Sequence, residues 1–309
     1  MNLNPSTQIN LFEHKEIFNQ LSKLYKNNNL PNKILLSGEK GIGKSTLAYH
    51  LINFVLSENE EHPYDYKNNI INPENKSYKL IQNKSNPNFY LIDVQQDKKN
   101  IDINQIRELI INLNKSSFNK KKRFVLIDNI ELLNLSSIND LLKILEEPNE
   151  NINFILINNN RRVLPTLKSR CLNFKVFLTN DQSIRIVNQL LNDDINTIIN
   201  DKLFNYYSTP GKLLKLINLS KEYNLDLANF DLNTTITIMI KDKIYKKDKS
   251  IIEIIYSFIE LYFRNNISSE NISLLKSYHY FVEKINNTKI YNLDEETLFM
   301  EFEDKVLNG

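Results

Sequence analysis

At 309 residues with 41% hydrophobic content, the chain can bury a sizeable core and has room for two or three domains. Thirty-nine basic and 37 acidic residues leave a net charge of +2, which excludes a large uniform field for holding nucleic acid non-specifically; any such contact must come from a local patch or from partners. The single cysteine, Cys171, excludes an internal disulfide framework and a cysteine-rich zinc module, and histidines 14, 50, 62 and 279 lack metal-ligand spacing, so no zinc site is expected.

Residues 1–11 lack a basic stretch followed by a long apolar run, and the longest apolar-rich segment, 251–263, is interrupted by Glu253 and Glu260. The expectation is a cytoplasmic protein with no membrane partner. An amphipathic stretch over 15–25 precedes Lys33–Ser37, a short apolar run bounded by Pro31 and Gly38 and read as a buried strand. Gly38-Glu39-Lys40-Gly41-Ile42-Gly43-Lys44-Ser45 then has the spacing of a phosphate-binding loop, and Lys44–Leu56 reads as the helix it opens. Strand, loop and helix in that order are the context such a loop requires, because the helix N-terminus adds its dipole to the anion site. Backbone N–H groups from Gly41 to Ser45 would line the phosphate oxygens, Lys44 would neutralise the outer phosphates, and Ser45 would reach magnesium. Gly38, Gly41, Gly43, Lys44, Ser45 and Thr46 are therefore candidate contacts for ATP and magnesium.

Residues 57–88 are polar and carry Pro63, Pro73 and Pro87, and are expected to form an irregular insertion with little core. A strand follows over 89–94, a helix over 103–114, and a second continuous apolar strand over 123–128 that ends on Asp128. Asp128 would lie beside the loop and hold the magnesium. The next position, where a water-activating glutamate often stands, is Asn129, which accepts no proton, so binding is expected and hydrolysis disarmed. Glu131 is the rival base, but three residues beyond Asp128 it is expected to point elsewhere. The run Lys120-Lys121-Lys122-Arg123 reads as a solvated loop before a strand rather than a DNA patch.

Ser137 with Asp140 marks a helix start, Leu141, Leu142, Ile144 and Leu145 recur at helical spacing, and Pro148 after Glu146-Glu147 is the stop. Asn159, just past a strand over 153–157, either reaches a γ-phosphate or is one of three neutral surface asparagines. Arg170 follows an extended link over 164–166, poorly placed for its own loop and able to serve an adjacent subunit in trans. Repeated strand and helix units imply an α/β domain with a mainly parallel sheet covered on both faces. After Val176 the pattern is helical only, giving 1–176 as the nucleotide-binding domain, 177–222 as a small helical lid and 223–309 as an all-helical domain. Lys212, after Pro210-Gly211, either reaches back to the nucleotide or simply starts a helix. Tyr278, Tyr280 and Phe281 are read as core rather than a platform for bases.

Four blocks carry a wider resemblance: Leu30-Pro31-Asn32-Lys33-Ile34-Leu35-Leu36-Ser37-Gly38, Ile106-Arg107-Glu108-Leu109, Asn139-Asp140-Leu141-Leu142-Lys143-Ile144-Leu145-Glu146-Glu147-Pro148 and Leu164-Pro165-Thr166-Leu167-Lys168-Ser169-Arg170-Cys171. Together they resemble the clamp-loader branch of the AAA+ ATPases, and within it the delta-prime subunits of bacterial DNA polymerase III. The resemblance implies a member of a five-subunit ring that opens a sliding clamp and places it on primed DNA, with gamma/tau and delta subunits as partners and the helical C-terminal domain as the collar. It also implies roles: Lys44 and Ser45 for the Walker A positions, Asp128 for the Walker B acid, Asn159 for sensor one, Lys212 for sensor two, where the family usually has arginine, and Arg170 for the trans-acting finger. Asn129 departs from hydrolysing relatives and favours a stationary role; the alternative is a hydrolysing gamma/tau-like motor subunit. A four-cysteine zinc module common in relatives is missing from 57–88. A small-molecule kinase is favoured by the loop alone.

Overall fold

The computed structural model describes residues 4–95, 98–115, 119, 121–146, 151–160, 163–204, 208–248, 250–267 and 272–308. Lys120, Glu147 and Pro148, part of the basic run and of the helix stop read from the sequence, lie outside them. The chain divides into two compact units, Met1–Ile186 with Thr209–Gly211, and Val187–Ser208 with Lys212–Gly309.

The first unit runs α1 (Lys15–Lys26), β1 (Lys33–Ser37), α2 (Lys44–Leu56), α3 (Lys76–Gln82), β2 (Phe89–Ile92), α4 (Ile103–Leu113), β3 (Arg123–Ile127), α5 (Leu135–Glu146), β4 (Ile152–Asn158), α6 (Pro165–Lys168) and β5 (Leu172–Lys175), and enters α7 (Asn180–Leu191). All pairings are parallel and the strand order is β2-β3-β4-β1-β5. β3 and β4 are buried along their whole length, which explains the apolar runs 124–127 and 154–157: a parallel strand covered on both faces has no solvent side to alternate with. One face packs Leu35, Val125, Phe154 and Leu156 against Ile106 and Leu109 of α4 and Leu141 and Leu145 of α5. α2 is buried at every position from Leu47 to Leu56, its polar His50 and Asn53 being hydrogen-bonded to Tyr64 and Asn75. The chain leaves β1 for the far edge at β2 and later returns to β1's other side with β5. That reversal opens a crevice at the carboxyl ends of the strands, where α/β sheets bind ligands.

Two segments differ from the sequence reading. The insertion over 57–88 is not coreless: it holds α3, and Tyr64, Ile71, Asn75, Ser77 and Ile81 are buried. Tyr64 and Tyr66 stack against Phe18 and Phe54 at ring separations of 5.2–6.0 Å, so aromatic contacts with α1 and α2 supply the core that the polar composition conceals. β5 has no counterpart in the reading because it is a four-residue edge strand with Phe174 as its one buried residue. Beside it Cys171 is half-buried against the core. The basic run is partly internal. Arg123 is buried with its guanidinium donating to the carbonyls of Leu113 and Lys115, and Lys121 donates to the Leu56 carbonyl at 2.7 Å.

The second unit takes up most of α8 (Pro210–Tyr223) and contains α9 (Leu232–Lys241), α10 (Ile244–Lys247), α11 (Ser250–Asn266), α12 (Ile272–Tyr291) and α13 (Glu295–Phe302). Phe263, Phe281 and Phe302 meet pairwise at 5.2–6.0 Å and are fully buried, each contributing about 1.5–3 kcal/mol of transfer free energy. Of the three residues read as core on α12, Phe281 is buried, Tyr278 half-buried and Tyr280 exposed. Tyr280 instead donates to Glu301 at 2.8 Å, and Lys284, Lys305 and Tyr280 together hold that carboxyl down to about 2. No helix among the described residues is long and apolar enough to cross a membrane.

Candidate nucleotide-binding site

The loop after β1 wraps the start of α2. Gly41 and Gly43 take φ of 87° and 92°, a left-handed backbone that L side chains rarely adopt, and Gly43 stands as the N-cap of α2. At Gly41 space is also exhausted: an added Cβ would lie 2.8 Å from Thr209 Oγ1 and 3.1 Å from the Gly211 Cα. Two hydrogen bonds fix that approach, Gly211 N–H to the Gly41 carbonyl at 2.9 Å and Thr209 Oγ1 to the Lys40 carbonyl at 3.0 Å. Gly38 N–H donates to the Asn158 carbonyl, tying the loop's root to the end of β4. Lys44 is 3% exposed and donates to the Gly38 and Glu39 carbonyls at 2.9 and 2.5 Å. Burial lowers its ammonium to about 8, with Asp128, Glu131 and Glu39 pulling the other way. Its hydrogen bonds go to neutral carbonyls, which an anion could replace. Thr46 follows, half-buried, on α2.

Facing the loop are the ends of β3, β2 and β4. Ser45 Oγ donates to Asp128 Oδ2 at 2.5 Å, joining the hydroxyl and carboxylate that would share a magnesium ion. Burial raises the Asp128 carboxyl and nearby Asp93 adds to the rise, while the Ser45 bond opposes both. Asn129 adopts φ 56° and ψ 48°; its Nδ2 donates to Asp93 Oδ1 at 2.8 Å and its Oδ1 accepts from Asn159 Nδ2 at 2.7 Å. The same Asn159 amide donates to Glu131 Oε1 at 2.9 Å, and Asn159 N–H to Glu131 Oε2 at 3.3 Å. Glu131 therefore turns toward the site, contrary to the sequence reading, because the 3₁₀ turn Ile130–Leu132 folds the chain back after Asn129. Asn159 is engaged in this network and is not an idle surface asparagine.

Asp93 and His14 were not marked by any motif. Asp93 ends the β2 run as Asp128 ends β3, and that parallel was the available signal. His14 lies buried beneath the loop with Nε2 2.5 Å from the Ile42 carbonyl, so Nε2 carries the proton; burial lowers its pKa and keeps the ring neutral. Nothing in the sequence pattern pointed to it. Among the described residues no group of three or more His, Cys, Asp or Glu could hold a metal unaided.

Arg170 is remote from this site. The register pairs Leu172 with Ile34, which places Arg170 at the amino edge of the sheet, six strand positions or roughly 20 Å from Gly38. Its guanidinium donates to Glu146 and, at 2.7 Å, to the Thr166 carbonyl. Lys212 is exposed on α8 and belongs to the second unit.

The profile of the family described as "DNA polymerase III, delta subunit" matches residues 13–179. The DNA polymerase III subunit delta' of Pseudomonas aeruginosa is 30% identical over 138 residues, 44% of this chain and 40% of that protein. The subunit gamma of Buchnera aphidicola subsp. Schizaphis graminum is 31% identical over 151 residues, 48% of this chain and 39% of that protein. The chain thus spans about two fifths of the length of these curated relatives. A solved gamma-subunit-related protein of Thermotoga maritima is 17% identical, covering 91% of this chain and 96% of that one at a TM-score of 0.47. With the profile spanning more than half of its length and delta-prime subunits among its relatives, the chain belongs to the DNA polymerase III clamp-loader family.

Proposed function

We propose that this chain is a delta-prime-like clamp-loader subunit of bacterial DNA polymerase III, assembling with gamma/tau and delta subunits, that binds ATP with little turnover of its own and lends Arg170 to the nucleotide of a neighbour. The ring would act on a sliding clamp at primed DNA. The observation that carries the reading is Asn129: an amide, locked by Asp93 and Asn159, occupies the position where a carboxylate would polarise water. Placement of Arg170 at the sheet edge away from its own loop supports a role in trans. Lys44 and the loop N–H groups would hold the phosphates, Ser45 and Asp128 the magnesium, Asn159 would sense the γ-phosphate and Lys212 would couple the lid. Bound magnesium would neutralise phosphate charge. On this reading 1–176, 177–222 and 223–309 serve as nucleotide-binding, lid and collar domains.

A hydrolysing motor subunit is the second reading, favoured by Glu131, whose carboxylate faces the site through Asn159. The two separate on ATPase measurements. The stationary reading predicts negligible turnover by the purified chain, and an Arg170→Ala chain that folds and assembles but lowers turnover of the reconstituted complex by ~10³–10⁵-fold, as for a sole arginine finger. Substantial turnover by the chain alone, abolished by Lys44→Ala and by Glu131→Gln, would establish the motor instead.

A further inference from the structure

The amino edge of the sheet holds a cleft of about 570 Å³ that is lined by Lys33, Lys122 and Arg170 together with Asn28, Asn29 and Leu172. Among the described residues no carboxylate lines it. Three cations converge there because Lys33 opens β1, Lys122 immediately precedes β3, and Arg170 sits two residues before β5. Like charges gathered around one concavity raise its potential and make it a trap for anions. Glu146 already supplies one anionic partner: its carboxylate, exposed at the end of α5, takes the guanidinium from outside the cleft wall.

We propose that this cleft is a polyphosphate-binding site in which Lys33 and Lys122 act with Arg170 on the phosphate chain of a nucleotide presented by a neighbouring subunit, with Glu146 giving up the guanidinium when that anion arrives. The inference rests on the assignment of Arg170 to a neighbour's nucleotide and adds two residues to it. A phosphate chain suits the cleft better than nucleic acid does. Among the described residues the lining has no aromatic ring on which a base could stack. Each lysine would supply a charged hydrogen bond where arginine supplies a planar fork.

The test has two arms. In ¹⁵N-labelled Lys44→Ala chain, whose own loop is disabled, inorganic tripolyphosphate should shift the amides of Leu30, Asn32 and Leu172, and adding Lys122→Ala should weaken that binding ~10-fold, the loss of one charged hydrogen bond. Unmoved amides overturn the proposal, as does a single-stranded oligonucleotide that moves them at a lower phosphate concentration. In the reconstituted complex, Lys33→Ala and Lys122→Ala should each lower maximal ATP turnover ~10-fold with assembly intact. If Arg170→Ala lowers turnover and neither lysine variant does, the inference fails while the trans role of Arg170 stands. If Arg170→Ala also changes nothing, the trans role itself is wrong.

Discussion

Asn129 carries both a chemical and a conformational constraint. Its backbone at φ 56° lies in the left-handed region, which asparagine tolerates and a longer side chain resists, and both ends of its amide are bonded. Asn129→Glu is therefore expected to lower stability by about 1–2 kcal/mol from the backbone alone, read as a lower urea midpoint with an unchanged slope. An unaltered midpoint would mean that the backbone at 129 relaxes freely and that the missing glutamate is not conformationally excluded. The missing acid was legible in the sequence because a Walker-type strand ends on a named residue and the next letter can be read. The placement of Glu131 was not, since it depends on a three-residue turn with no sequence marker of its own. His14 was hidden for a related reason: its contact is with a backbone carbonyl of the loop, and backbone partners leave no letter in the sequence.

Among elements, those with continuous apolar runs were legible at sequence level, and those held by polar or aromatic contacts across the chain were not. β1, β3 and β4 fall within one residue of their expected bounds, whereas α3 and β5 were missed. The insertion that contains α3 is secured by Asn75, fully buried, whose Oδ1 accepts from Tyr78 N–H at 2.8 Å and Asn53 Nδ2 at 3.1 Å while its Nδ2 donates to the His62 carbonyl at 2.7 Å. One asparagine thus caps α3 and joins it to α2 and to the loop before it. Nearby, Lys26 lies 4.0 Å over the Tyr66 ring and closes the aromatic cluster from the α1 side. Asn75→Ala leaves three partners unpaired, the buried Asn53 among them, and should cost about 1–3 kcal/mol. Chemical denaturation checks the magnitude, and limited proteolysis should show new cleavage within 57–75. A variant that matches the parent in both would show that the aromatic cluster holds the insertion without this residue.

At the scale of the whole chain, a net charge of only +2 leaves nucleotide binding to local groups, and the sharpest of these is Lys44. Burial penalises the charge and lowers its ammonium to about 8; phosphates beside it would stabilise the charged form and raise that value. Binding then takes up a proton wherever the free loop has lost one. The sign follows: the lysine's contribution to affinity is fully present below pH 8 and declines as pH rises through 8 toward the bound value. Binding to the folded state stabilises it by ~2.7 kcal/mol at a ligand concentration of 100 times Kd, so the effect is readable as a thermal shift. MgATP should raise the melting temperature by several degrees at pH 7, less at pH 9, and Lys44→Met should give a small shift that does not change between the two. Equal shifts of the parent chain at both pH values would mean that Lys44 does not face the phosphates, leaving the loop's glycine geometry as an inherited turn rather than a working nucleotide site.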